Sequence, residues 1–196
     1  MNRYHRRLCR SPRWSAYMAG TVLPRALDGI TLGPRVLELG PGYGASTRPL
    51  AARVPSLTAL ESDPVLAARL HAGLGSVRVV NGDATNVGFG AGSFSAVVCF
   101  TMLHHLPGPA AQDRLFAEAA RVLAPGGVFA GTDSRPSLRF RLIHLGDTCH
   151  PVDPGTLPAR LAAAGFTGIA VDAGERLVRF VAYAPGGDGE AREARG

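Results

Sequence analysis

The chain has 196 residues, within the usual ~100–200 residues per domain, so one domain with a single sizeable core is expected. Its 46% apolar content is ordinary for a globular fold, and its 25 glycines and 15 prolines sit at scattered turn positions without a repeat, which excludes collagen-like, solenoid and coiled-coil architectures. All 21 basic residues are arginines and six of them precede the first acid, Asp28, so the formal charge of +6 resides in the first 27 residues and the body is neutral.

Residues 1–25 are arginine-rich and acid-free. That composition occurs in targeting peptides, but the apolar part from Trp14 to Leu23 is interrupted by Ser15, Gly20 and Thr21 and lacks a small-residue cleavage site, so no leader is expected. Trp14, Tyr17, Met18 and Thr21/Val22 fall on one face at helical spacing, and Pro24 marks a helix end. The plain reading is a helix that packs this stripe on the core and leaves its arginines in water. No stretch approaches the ~20 apolar residues of a membrane span. Cys9, Cys99 and Cys149 are odd in number and form no CxxC pair, which argues against a disulfide scaffold, a zinc ribbon or an iron–sulfur centre and fits a reducing, cytoplasmic setting.

From Arg35 the pattern alternates: strand 35–39, helix 44–53, strand 57–61, helix 64–73, strand 77–81, strand 95–100, helix 110–123, strand 127–132. Such alternation predicts a parallel sheet with helices on both faces and right-handed crossovers, whose ligands bind at the carboxyl ends of the strands. Residues 134–153 interrupt the rhythm; Leu138, Leu142 and Leu145 line one face of a short helix, with Arg139, Arg141 and His144 on its other side. Pro154 to Ala164 reads as a helix ended by Gly165. Residues 167–171 and 177–184, joined through Asp172-Ala173-Gly174, read as a terminal hairpin, and the polar segment 185–196 as a flexible tail.

The stretch Val36-Leu37-Glu38-Leu39-Gly40-Pro41-Gly42-Tyr43-Gly44-Ala45-Ser46-Thr47 runs from a buried strand into a glycine-rich turn, a cradle that lets backbone approach a nucleotide closely. Its spacing fits two readings. Gly40-x-Gly42-x-x-Ala45, with Glu61 at the right distance for a ribose hydroxyl, satisfies a permissive dinucleotide fingerprint. Glu38, however, places a carboxylate near the point where a pyrophosphate would sit, which repels it and attracts a ligand carrying an ammonium and a sulfonium, such as S-adenosylmethionine.

Glu38-Leu39-Gly40-Pro41-Gly42-Tyr43-Gly44 resembles the first motif of the class I S-adenosylmethionine-dependent methyltransferases, and four later segments resemble that family's motifs in its order. They are Leu60-Glu61-Ser62-Asp63-Pro64, Val80-Asn81-Gly82-Asp83-Ala84, Phe94 through Leu106 with His104-His105, and Arg121-Val122-Leu123-Ala124-Pro125-Gly126-Gly127. One glycine motif is weak; five in order are strong. The resemblance covers residues 30–184. It implies a Rossmann-like, doubly wound α/β fold with a mostly parallel seven-stranded sheet ending in a hairpin with one antiparallel strand. It also implies that residues 1–29 form a helical lid and that the insertion 134–153 lies above the site and helps choose the substrate.

The resemblance further implies roles. Glu61, with Ser62 beside it, would accept the ribose hydroxyls, although an acid there can also cap the helix starting near Pro64. Asp83 would accept from the adenine amino group, with Gly82 and the Ala84 amide alongside; an Asx turn is the plain alternative. Glu38 would orient the glycine turn, with Gly40 and Gly42, and the methionine ammonium, directly or through water; Phe100 and Thr101 would contact the methionine chain, and Tyr43 would cover the cofactor, a solvated ring being the plain alternative. Methyl transfer from a sulfonium is an in-line displacement, so a base is needed only if the acceptor must lose a proton. His105 is the first candidate, His104 the second, and Asp133 a third. His144, Asp147, Cys149 and His150 are metal-competent but match no zinc signature, so a solvated loop and no metal are expected. The resulting expectation is a small-molecule methyltransferase that spans no membrane. An RNA methyltransferase using the basic arm, a non-catalytic S-adenosylmethionine-binding protein and, last, an oxidoreductase are the alternatives.

Overall fold

The computed structural model describes residues 2–186, so the segment read as a flexible tail lies outside the described residues from 187 on. Seven strands form one sheet: β1 (Arg35–Leu39), β2 (Ser56–Glu61), β3 (Arg78–Asn81), β4 (Phe94–Phe100), β5 (Leu123–Ser134), β6 (Thr167–Ala173) and β7 (Leu177–Tyr183), in the order β3-β2-β1-β4-β5-β7-β6. The first five are parallel and β7 runs antiparallel to both β5 and β6. This is the doubly wound sheet and terminal hairpin expected. The chain winds outward from β1 to β3, then returns to β4 on the other side, which puts the switch point between β1 and β4.

Side chains alternate across the sheet, so two cores form. On one face Leu37, Leu39, Val97, Cys99 and Phe129 meet Leu115, Phe116, Ala119 and Val122 of α6 (Pro109–Val122) and Leu157 and Leu161 of α8 (Leu157–Ala163). On the other, Val36, Ala96, Val98 and Ala130 meet Leu50 of α4 (Thr47–Ala51) and the N-terminal residues Met18, Val22, Leu23 and Ala26. Fully burying a side chain the size of leucine or valine contributes ~1.5–3 kcal/mol, so these N-terminal residues fasten their segment to the sheet. The helix α5 (Pro64–Gly73) starts where Asp63 accepts from the backbone N–H groups of Val65 and Leu66 and Pro64 fills the first turn.

Two local expectations change. Pro24 does not end the N-terminal helix: α1 (Arg3–Cys9) and α2 (Pro12–Tyr17) are followed by a π-helical turn over Met18–Val22 and by α3 (Leu23–Ala26). The widened turn, in which the Leu23 N–H reaches back to Met18 O, lets the chain pass a proline that has no N–H of its own. In α7 (Leu138–Ile143) the leucine face points outward, with Leu138 and Leu142 exposed like Leu145 beyond the helix, while Phe140 and His144 turn inward. Among the described residues, no helix is long and apolar enough to cross a membrane.

Candidate active site

β1 ends in a turn whose three glycines, Gly40, Gly42 and Gly44, all have positive φ, at 65°, 58° and 78°. A Cβ on Gly40 would meet Met102 Cε at 2.9 Å and one on Gly44 would meet Leu70 Cδ2 at 2.7 Å, both the far ends of flexible side chains, so the positive φ is what calls for glycine there. Gly42 faces open space instead and lines a cavity of about 430 Å³ at the strand ends. Its N–H donates to Glu61 Oε2 at 2.8 Å, and the Asp63 N–H donates to Glu61 Oε1 at 3.0 Å. Asp63, not Glu61, caps α5, so Glu61 is a buried carboxylate held in position at the cavity wall with lone pairs to spare.

Glu38 lies beneath the same turn, 1% exposed, and does not itself line the cavity. Its Oε1 accepts from the Ser46 hydroxyl at 2.5 Å and its Oε2 is buried without a partner. Burial raises its pKa to about 7; the neighbouring Glu61 adds to the rise and the hydrogen bond from Ser46 opposes it. Ser46, Gly40, Tyr43, Ser62, Phe100 and Thr101 all line the cavity. Gly82, Asp83 and Ala84, at the end of β3, do not. Asp83 Oδ1 accepts from the Thr85 N–H at 2.8 Å and its hydroxyl at 2.9 Å, an Asx-type turn, and Ala84 is buried in the core.

The end of β4 supplies the other wall. Thr101 has φ 51°, a costly conformation for a β-branched residue, and its N–H is tied to Thr132 O at 2.7 Å. A single 3-10 turn, Leu103–His105, follows. His104, 2% exposed, sets Nδ1 2.5 Å from Oδ1 of the equally buried Asp133, which fixes the ring with its other nitrogen free. The Gln112 amide donates to Leu103 O and His150 O, and the His150 N–H to His104 O, so the insertion loop is stitched to this turn.

Two further residues complete the cavity: His5, which no local sequence pattern marks, and His144, which the sequence placed in a solvated loop. His5 arrives on α1 and His144 from the end of α7, and their rings meet those of His104 and His105 with centroids 4.1–5.4 Å apart across the group and Phe140. Burial lowers the pKa of His5 and of His144, and it drives that of His105 to about 3, helped by the charges His104, His5 and His144 would carry. Burial thus disfavours the charged form of all three rings, and His5 meets Asp147 Oδ2 at 3.0 Å as an N–H donor. Cys149 and His150 stay outside this cavity. The lining carries three acids, Glu61, Asp63 and Asp147, and, among the described residues, no arginine.

Residues 37–131 match a family described as a methyltransferase domain. The chain is 37% identical over 120 residues to a ubiquinone biosynthesis O-methyltransferase of Xanthomonas oryzae, covering 58% of this chain and 49% of that protein. It is 37% identical over 108 residues to a fatty-acid O-methyltransferase of Mycolicibacterium smegmatis, covering 53% of this chain and 38% of that one. The chain thus spans about half the length, or less, of these relatives. The fold is similar to a Haemonchus contortus phosphoethanolamine N-methyltransferase in complex with S-adenosyl-L-methionine, with TM-score 0.68, 16% identity and coverage of 94% of this chain and 60% of that one; at that identity the likeness is one of fold.

Proposed function

We propose, from the premise that this chain carries a class I S-adenosylmethionine-dependent methyltransferase domain over residues 37–131, that its cavity holds S-adenosylmethionine and that a small-molecule acceptor is methylated there. One observation carries this reading: a protein with 21 arginines lines its cavity with three acids and, among the described residues, no arginine. A pyrophosphate in such surroundings is repelled, whereas an ammonium and a sulfonium are attracted. The residues present fit that group. Glu61 is preset for two hydroxyl donors, Gly42 leaves the turn open, and Glu38, with one buried oxygen unpartnered, sets a negative potential behind Ser46. When bound, S-adenosylmethionine supplies a methyl group on an already activated leaving group.

The chain's own residues then align and shelter the acceptor. Good alignment alone contributes ~7–11 kcal/mol to such transfers. Trp14, Met18 and Phe140 give the cavity apolar walls that suit an acceptor. We assign α1 and α2 as the lid and Met18 to Ala26 as the core-packed part of the N-terminal segment. Both relatives are named as O-methyltransferases, and a hydroxyl or carboxyl oxygen is the acceptor atom we infer. A carboxylate acceptor needs no base; the proton of a hydroxyl acceptor goes to His104, whose ring Asp133 orients, rather than to His105, whose low pKa makes it a weak base. The test is transfer of a labelled methyl group from S-adenosylmethionine to a panel of phenols and fatty acids. Transfer that is lost in Glu61→Gln supports the reading; no transfer to any acceptor, with the donor shown to bind, overturns it.

A further inference from the structure

We propose that His5, His105 and His144 form a three-imidazole site for a divalent transition-metal ion at the acceptor end of the cavity. The three come from α1, the turn after β4 and the end of α7, and one ring nitrogen of each lies within 4.8 Å of the others. Each ring is already oriented through Nδ1: His5 on Asp147 Oδ2 at 3.0 Å, His144 on Phe140 O at 2.8 Å and, more loosely, His105 on Thr148 O at 3.4 Å. Carboxylate and carbonyl oxygens accept only, so Nδ1 carries the hydrogen and Nε2 carries the free lone pair. This is the arrangement by which an outer carboxylate or carbonyl prepares a histidine for a metal.

A second observation points to a ligand. His144 is 8% exposed and its Nε2 is buried with no hydrogen-bond partner. Three acceptor nitrogens gathered in one place cannot satisfy one another, and a single water has only two hydrogens to offer them. One cation satisfies all three. Neutral imidazoles suit zinc, copper, nickel and iron(II), and three of them leave at least one coordination position open to the cavity. Zinc–nitrogen distances of about 2.0–2.1 Å bring ligands to about 3.4 Å from one another, so metal draws the rings together and pins α1 against α7. An acceptor oxygen is the ligand for the open position; that clause alone rests on the methyl-transfer reading.

The experiment uses the full chain, stripped with chelator and titrated with cobalt(II), without any methyl donor, so that its outcome is independent of the proposed activity. One cobalt per chain, with visible absorption bands of a nitrogen-ligated ion, is expected. His5→Ala and His144→Ala should weaken binding at least 100-fold, while His71→Ala and His150→Ala, both exposed, leave it unchanged. Asp147→Asn keeps the shape of the side chain and removes the charge that orients His5, and should weaken binding 10- to 100-fold in a chain that melts like the parent. Absence of stoichiometric cobalt and zinc binding, or full binding by the His5 and His144 variants, overturns the proposal.

Discussion

The backbone N–H of Gly42 donates to the carboxylate of Glu61 at 2.8 Å, across 19 residues of sequence, and this bond joins the glycine turn after β1 to the end of β2. The same side chain therefore shapes the turn and offers negative charge to the cavity. Glu61→Gln keeps the shape, loses the charge and turns one oxygen acceptor into a donor facing an N–H. Calorimetry should show affinity for S-adenosylmethionine falling about 10- to 100-fold, equivalent to ~1.4–2.8 kcal/mol. Thermal unfolding should fall as well, because a buried N–H left unsatisfied costs ~1–3 kcal/mol.

Glu38 makes both stability and affinity depend on pH. Its folded pKa of about 7 lies above the ordinary 4.5, so the folded protein holds this proton more tightly than the unfolded chain does. The resulting stability is fully present below pH ~4.5 and is lost as pH rises through 7. The ligand-free protein should melt lower at pH 8 than at pH 5.5 by this contribution, and Glu38→Gln should flatten the dependence. Affinity runs the other way, because an ammonium favours the ionised carboxylate. Between pH 6 and 8 the affinity for S-adenosylmethionine should rise about tenfold, with proton release seen as a buffer-dependent binding enthalpy.

The buried pair His104 and Asp133 should separate chemistry from binding. Asp133→Asn leaves a side chain of the same size but presents an amide to a ring that now meets a carboxylate. Turnover should fall by about 10²–10⁴, the usual contribution of positioned proton transfer, with donor affinity unchanged. The loss should shrink as pH rises and the acceptor ionises unaided, a recovery that a merely structural defect would not show.

Thr101 stores strain at the cavity wall. Thr101→Gly relieves a positive φ that costs ~1–3 kcal/mol in a β-branched residue, offset by the ~0.5–1 kcal/mol of glycine's extra chain entropy. A net gain of about 1 kcal/mol corresponds to a rise of about 2–4 °C in melting temperature for a chain of this size. Turnover should fall at the same time, measured on the same preparation.

The alternation of strands and helices and the glycine turn were legible in the sequence because they are written locally, whereas the strand order is not. The apolar run Val36 to Leu39 and the paired turn glycines each declare themselves within a few residues, but the cap of α5 is Asp63 and not the Glu61 that the sequence also allowed. Glu61 was legible by its place at the end of a strand. His5 was not: its partner Asp147 lies 142 residues away, and nothing in an arginine-rich helix distinguishes the one side chain that turns inward. The amphipathic pattern of α7 misled in the opposite sense, since Leu138, Leu142 and Leu145 form a clean apolar face that points to solvent while Phe140 and His144 seal the cavity. Pro24 read as a stop because a widened helical turn leaves no local signature.

A cavity lined by Glu61, Asp63 and Asp147 should take a cationic, phosphate-free adenosine derivative. Calorimetric titration of the full chain with S-adenosylmethionine and with a nicotinamide dinucleotide, both in chelator so that the metal site is silent, tests it directly. Saturable one-to-one binding of S-adenosylmethionine, weakened by Glu61→Gln, and no heat from the dinucleotide are expected. Tight binding of the dinucleotide with none of S-adenosylmethionine would contradict it.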